Sequence, residues 1–395
     1  MIRISLHTRR DLLAAGAAAT IAAAFPGKAA FAGAAKPMIR PGEIWLDTTG
    51  KPIQAHGASI LQVGDTFYWY GENKERTLPG SGIWHWGVRA YASKDLVNWT
   101  DQGLIIPPVP DDPASPLHPA RQLDRPHILY HARTGKFVCW VKIMEVDGRQ
   151  TRTILTADRF TGPYTILRQG LQPLGMNAGD FDLLINPDDL KAYTYFERVH
   201  SELICADLTE DYTDVTGYYS THFPHPAPPQ VREGPAYFHR RGKHYLITSG
   251  TTGYHPNPSE VAMADTFHGP WTVLGDLHPR DASRTSFNSQ VSSVFKHPGK
   301  KDLYIALADR WMPDLPQTEG PGFASGDAYR RFEPMFAKMF NPDGPALTPA
   351  EGAELKGQAK RINTSRGTYV WLPLRFEGER PFIDWHSAWS PDDFA

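Results

Sequence analysis

Five polar residues head five similar stretches of this sequence: His56, Asp124, Asp180, Glu233 and Gln290. Each opens a short apolar run, and an aromatic residue follows 12 to 14 positions later, at Tyr68, Phe137, Tyr193, Tyr245 and Tyr304. Three carboxylates gathered in one place raise one another's pKa, so one of them becomes a proton donor near neutral pH. That is the equipment of general acid–base catalysis. The competing reading of the same five is structural, as turn caps or as ligands of a central ion.

The elements that must position these residues repeat with them. Gly64-Asp65 and Arg240-Arg241-Gly242-Lys243 are hairpin turns between apolar runs, and Thr66-Phe67-Tyr68-Trp69-Tyr70 is a run of β-branched and aromatic residues that suits a strand. A second phrase, an Asp, an apolar residue and a closing aromatic, recurs at 95–99, 158–164, 207–212 and 265–271. It folds an outer strand back onto its sheet and covers it with the aromatic. Antiparallel units of three or four strands cannot bury both faces alone and must pack radially. The prediction is an all-β chain forming a five-bladed β-propeller. Its inner strands start around one funnel, so the five polar residues face one another there.

The 395 residues include 34 Gly and 35 Pro, enough for many turns, and carry a net charge of -2 with no basic run. Nucleic acid is therefore not an expected partner. Thr8-Arg9-Arg10-Asp11-Leu12-Leu13, the Ala-rich run to Phe25 and Ala30-Phe31-Ala32 resemble a twin-arginine export signal over residues 1–32, which implies an exported, periplasmic or secreted protein. Residues 39–395 read as a single propeller with an insertion at about 313–366, within which one short helix is predicted near 349–356. No later segment is apolar enough to span a membrane. Cys139 and Cys205 lie in apolar strand patterns outside any metal-binding spacing, so buried thiols are expected and a disulfide is the alternative. No metal or other cofactor is expected, and the sequence does not fix an oligomeric state.

Several phrases occur in an order that resembles glycoside hydrolase family 43, in its branch of galactan 1,3-beta-galactosidases (exo-beta-1,3-galactanases). They are 56–61 (HGASIL), 68–72 (YWYGE), 125–130 (RPHILY), 232–236 (REGPA) and 369–374 (YVWLPL). The resemblance covers most of the chain outside the insertion. It implies an exo-acting, inverting hydrolase that releases terminal sugars from a plant-type polysaccharide or oligosaccharide, with β-1,3-linked galactose as the leading substrate. An α-L-arabinofuranosidase, a β-xylosidase or a non-catalytic carbohydrate-binding propeller is the alternative.

The resemblance also implies roles for residues. Glu233 matches the family's general acid, and Asp180 matches the carboxylate that orients the acid and raises its pKa. Asp182, two residues along the strand, is the rival of Asp180. The family's usual base, an Asp at the first inner strand, is replaced here by His56 in Ala55-His56-Gly57. Gln290 matches the residue that takes the water-positioning role in the galactanase-like branch, and Asp124 is its rival. Glu72 and Glu197 occupy equivalent places and are expected to bind sugar hydroxyls or to be solvated strand ends. Trp84, Trp86 and Trp311 are candidates for stacking on sugar rings or for ordinary packing, whereas His127 and His255 read as structural.

Overall fold

The structure, a computed structural model, describes residues 36–315, 326–341, 343–360 and 362–395. Residues 1–32, expected from the sequence to be an export signal, lie outside the described residues. From Pro37 onward the strands form five four-stranded antiparallel sheets, each running from its first to its fourth strand in sequence order. Blade one comprises β1 (His56–Val63), β2 (Thr66–Glu72), β3 (Val88–Ser93) and β4 (Thr100–Ile106). Blade two comprises β5 (Gln122–His131), β6 (Lys136–Met144), β7 (Gln150–Ala157) and β8 (Thr165–Leu171). Blade three is β9 (Ala178–Ile185), β10 (Ala192–Arg198), β11 (Glu202–Leu208) and β12 (Val215–His222). Blade four is β13 (Arg232–Arg240), β14 (Lys243–Gly250), β15 (Glu260–Ala264) and β16 (Thr272–Asp276). Blade five is β17 (Gln290–Lys296), β18 (Tyr304–Arg310), β19 (Thr368–Glu377) and β20 (Arg380–Ile383).

The innermost strands touch in the cyclic order β1, β5, β9, β13, β17 and back to β1, which closes the ring. Five apolar clusters fill the five seams between neighbouring blades. At the closing seam Trp69, Trp99 and Trp371 pack edge to face at 4.5 to 5.9 Å. Ile39 bridges Trp389 there, so the first and last described segments lie side by side. Removing one such indole would cost roughly 3–5 kcal/mol. The middle strands such as β6, β10, β14 and β18 are almost wholly buried, whereas the outer strands β8 and β12 are mostly exposed. Trp99 and Tyr212, the closing aromatics of two recurring turns, are buried as the pattern requires. Cys139 and Cys205 are free and buried in different seams.

The segment between β18 and β19 differs from the sequence expectation of one short helix, because it carries two: α1 (Gly326–Phe340) and α2 (Pro349–Ala359). Pro334 inside α1 argues against a helix in sequence. Its apolar residues nonetheless recur at 332, 335, 336 and 339, a helical spacing. Phe332 and Met335 are buried, and Phe332 packs at 4.2 Å on the His255 ring. α2 opens with a capping box between Thr348 and Glu351 and has Pro at its first turn. Among the described residues no helix is long and apolar enough to cross a membrane.

Candidate active site

The five inner-strand heads are aimed by a repeated backbone device. Across the first hairpin of four blades, His56 pairs with Glu72, Asp124 with Lys142, Glu233 with Ser249 and Gln290 with Asp309. In each, the register slips just downstream of the head residue, the mark of a β-bulge. Such bulges turn a side chain out of the ladder and are frequent beside active sites. Three residues after the heads take the left-handed conformation: Gly57 (φ 67°), Arg125 (φ 52°) and Gly234 (φ 57°). Glycine accepts that geometry freely. At position 234 a Cβ would also lie 3.2 Å from Gln290 Nε2 and 3.3 Å from Arg125 Nη2. Arg125 adopts it with a full side chain, a strain of about 1–2 kcal/mol, held by its own contacts.

Those contacts build the floor of a cavity of about 200 Å³ lined by Glu72, Trp84, Asp124, Arg125, Lys142, Asp180, Glu233, Tyr254, Gln290 and Trp311, with Met144 and Gly253. The Arg125 amide donates to Glu72 Oε1 at 2.9 Å, and its Nη2 lies 2.7 Å from Gln290 Oε1 and 2.8 Å from Asp180 Oδ2. Lys142 Nζ donates to Asp180 Oδ1 at 2.7 Å and sits 3.3 Å from Asp124 Oδ2. Trp84 Nε1 donates to Asp124 Oδ1 at 2.7 Å. Beneath them Lys74 pairs with Glu72 at 2.8 Å and approaches Asp124 at 3.7 Å.

The carboxyls of this cavity are driven to opposite protonation states. Burial alone would raise Asp180, but Arg125 and Lys142 outweigh it and hold the carboxyl well below the usual range. Asp124 is likewise lowered, by Lys142, Lys74 and the Trp84 indole against its burial. For Glu233 burial, then the negative charges of Asp180 and Glu197, push the carboxyl well above the usual range despite Arg125 and Lys142. Burial also lifts Glu72 to about 7 against Lys74. The cavity thus sets Glu233, raised in pKa, beside Asp180 and Asp124, both lowered. Gln290 touches Glu233 directly: its Nε2 donates to Ser249 Oγ at 2.8 Å and to Glu233 Oε1 at 3.3 Å.

Seven sequence candidates line this cavity: Glu72, Asp124, Asp180, Glu233, Gln290, Trp84 and Trp311. The other three lie elsewhere. His56 is fully buried below it, with Nδ1 3.0 Å from Asp309 Oδ1 and its ring stacked on Tyr369 at 4.7 Å. Glu197 is buried and accepts from the His200 amide at 2.9 Å. Trp86 packs under the Arg76 guanidinium at 3.8 Å. Asp182 accepts from the amides of Leu183 and Tyr237, both at 2.8 Å, and does not line the cavity. His127, 3.4 Å from Asp182, packs on Phe181. Sequence reasoning assigned no role to Arg125, Lys142, Lys74 or Tyr254. A lysine amid the apolar residues of β6 was the available signal, since a buried cation needs carboxylate partners. Among the described residues no group of three or more His, Cys, Asp or Glu is arranged to hold a metal.

Comparisons with known proteins point the same way as this geometry. No curated protein matches the chain in sequence. Among solved structures it resembles a β-1,3-galactosidase of family GH43, with 25% identity, a TM-score of 0.71, and coverage of 90% of this chain and 64% of that one. It also resembles an exo-β-1,3-galactanase from Phanerochaete chrysosporium crystallised with β-1,3-galactotriose, with 26% identity, a TM-score of 0.68, and coverage of 89% and 68%. An exo-β-1,3-galactanase from Clostridium thermocellum, 24% identical over 89% of this chain and 66% of that one, shares the fold with a TM-score of 0.67. The chain therefore spans about two thirds of the length of these proteins, and 64% of the first. The sequence model of glycosyl hydrolases family 43 matches residues 51–317, and the chain belongs to that family.

Proposed function

We propose that this protein is an exo-acting, inverting glycoside hydrolase that removes terminal sugars, with β-1,3-linked galactose as its substrate. Two carboxyls lining one cavity, Asp180 held by Arg125 and Lys142 and Glu233 without such a pair, carry the reading, because their pKa values are pushed apart and this assigns acid and counter-charge. Glu233 donates its proton to the leaving glycosidic oxygen. Asp180, fixed by Arg125 and Lys142, keeps that proton on Glu233 until the substrate arrives. The galactoside specificity is supported by the likeness to a β-1,3-galactosidase and an exo-β-1,3-galactanase at 25 and 26% identity. We also read residues 1–32 as a removable export signal; amino-terminal sequencing of the secreted form should begin just after Ala32, and retention of Met1 in that form would overturn it.

Inversion needs an attacking water on the face opposite the acid, with about 6.5–9.5 Å between the two carboxyl groups. Gln290 offers that water the Oε1 lone pair that Arg125 leaves free, and because its Nε2 lies 3.3 Å from Glu233 Oε1 the amide must part from the acid on substrate binding to reach the opposite face. An amide takes no proton in its ordinary form, and this favours a second reading in which Asp124, kept ionised by Lys142 and Lys74, is the acceptor. Chromatography of products from a panel of galactans, arabinans and xylans tests the substrate, and no sugar released from any would leave a carbohydrate-binding propeller. Gln290→Ala and Asp124→Asn separate the two readings. The variant lacking the water-activating group loses about 10²- to 10⁴-fold in rate and regains turnover with azide. Azide rescue of neither folded variant would overturn both assignments.

A further inference from the structure

A second cavity, of about 340 Å³, adjoins the first and shares Trp84 and Tyr254 with it. Its size falls within the roughly 300–1,000 Å³ range of small-ligand sites. One wall is the loop after β2, through Thr77, Pro79, Gly80 and Ile83. The opposite wall comes from the end of α2 and the chain beyond it, including Ile362 and Thr364, outside the 51–317 stretch that matches the family. Thr77 and Thr364 join hydroxyls at 2.7 Å, which pins the two walls together where both residues are buried. Trp84 is fixed by its bond to Asp124, by Lys74 donating to its carbonyl at 2.9 Å and by the Lys74 ammonium 4.9 Å from its ring centroid. Tyr254 lies 6.2 Å from the Trp84 ring and 5.4 Å from that of Trp311, so aromatic rings run from the reacting centre toward the second cavity. Among the described lining residues only Lys360 carries a charge.

We infer that this cavity is a subsite for the leaving-group side of an oligosaccharide, and that the segment between β18 and β19 sets how long a chain the enzyme prefers. The inference rests on the proposed glycosidase reading. Uncharged sugar rings suit the lining, because their C–H faces bury against aromatic and aliphatic side chains while hydroxyls reach the threonines and glycine backbone. The shared rings select the occupant: Trp84 and Tyr254 line both cavities, so a chain whose terminal sugar fills the catalytic one finds its next sugars beside the second.

Ile362→Trp and Ile83→Trp fill the second cavity from opposite walls without touching the catalytic one. Wild-type kcat/KM should rise at least 10-fold from β-1,3-galactobiose to the tetraose, and either variant should lose that rise while hydrolysing a p-nitrophenyl β-galactoside within 2-fold of wild type. In the Glu233→Gln background, tryptophan fluorescence should report binding of the tetraose that weakens 10-fold or more when Ile362→Trp is added. Turnover without chain-length dependence, or equal losses on the aryl and tetraose substrates, overturns the subsite and leaves the hydrolase. Tetraose binding that depends on Ile362 in a protein that cleaves nothing overturns the hydrolase and leaves the subsite. Absence of both binding and turnover overturns both.

Discussion

Replacing Lys142 by Met keeps most of the side-chain volume and removes one buried charge, so its effects can be worked from the geometry. Lys142 Nζ lies 2.7 Å from Asp180 and 3.3 Å from Asp124, and all three side chains are at most 14% exposed. Breaking a buried pair costs about 3–5 kcal/mol. Each carboxylate keeps a second cation, Arg125 at 2.8 Å for Asp180 and Lys74 at 3.7 Å for Asp124, which argues for the lower end, about 3 kcal/mol. With an unfolding entropy of about 2.1 cal/mol/K per residue over roughly 360 residues, that loss lowers Tm by about 4 °C. The pH–rate profile moves too. Lys142 lowers the pKa of Asp180, Asp124 and Glu233, so its loss raises all three. The acidic limb, where a carboxylate must be ionised, and the alkaline limb, where Glu233 must be protonated, both shift to higher pH. Differential scanning calorimetry and kcat/KM between pH 3 and 9 measure the two effects. A variant melting within 1 °C of wild type with an unmoved profile would refute the claim that Lys142 holds these carboxylates.

Two further outcomes follow from the geometry around the site. Gly234→Ala places a methyl against Gln290 and Arg125 in a left-handed backbone, which costs about 1–2 kcal/mol and displaces the neighbour of Glu233; kcat falling with a lower Tm is expected, and wild-type kcat would contradict the packing. Burial lifts Asp182 and Glu72 to about 7, and a carboxyl raised in the folded state contributes stability that is present below its unfolded pKa of about 4 and is lost as pH climbs to 7. The unfolding free energy should therefore fall between pH 5 and 7 by up to about 1.4 kcal/mol per pH unit for each group, or about 2 °C in Tm, and Asp182→Asn should flatten the fall; a Tm independent of pH across that window would contradict the burial argument.

The blade count was legible because every unit repeats the same hairpin and four of the five repeat the same Asp-to-aromatic turn, so period and pattern agreed. The heads of the inner strands were legible for the same reason, yet position in a repeat does not say where a side chain ends. His56 holds the same place as Glu233, but Asp309 and Tyr369 draw its ring beneath the cavity. Glu197, also absent from the cavity lining, packs its carboxyl against Gly179 and accepts from the His200 amide. Arg125 and Lys142 gain their meaning from residues 18 to 165 positions distant, and only the nearest of these, Asp124 opposite Lys142, lies within one hairpin. α1 was hidden by Pro334, which lies on the exposed side of a helix whose buried side is Phe332 and Met335.

The account turns on the proton carried by Glu233, and Glu233→Gln tests it most directly, since the amide preserves shape and removes only the acidic proton. Two substrates divide the steps: a natural galactan, whose leaving sugar alcohol needs protonation, and a 2,4-dinitrophenyl β-galactoside, whose leaving phenolate does not. The account predicts that the variant loses at least 10²-fold in kcat/KM on galactan, keeps the activated substrate within about 10-fold, and no longer shows the alkaline limb of the pH profile. A folded variant that loses both substrates equally, or hydrolyses galactan at the wild-type rate, would contradict it.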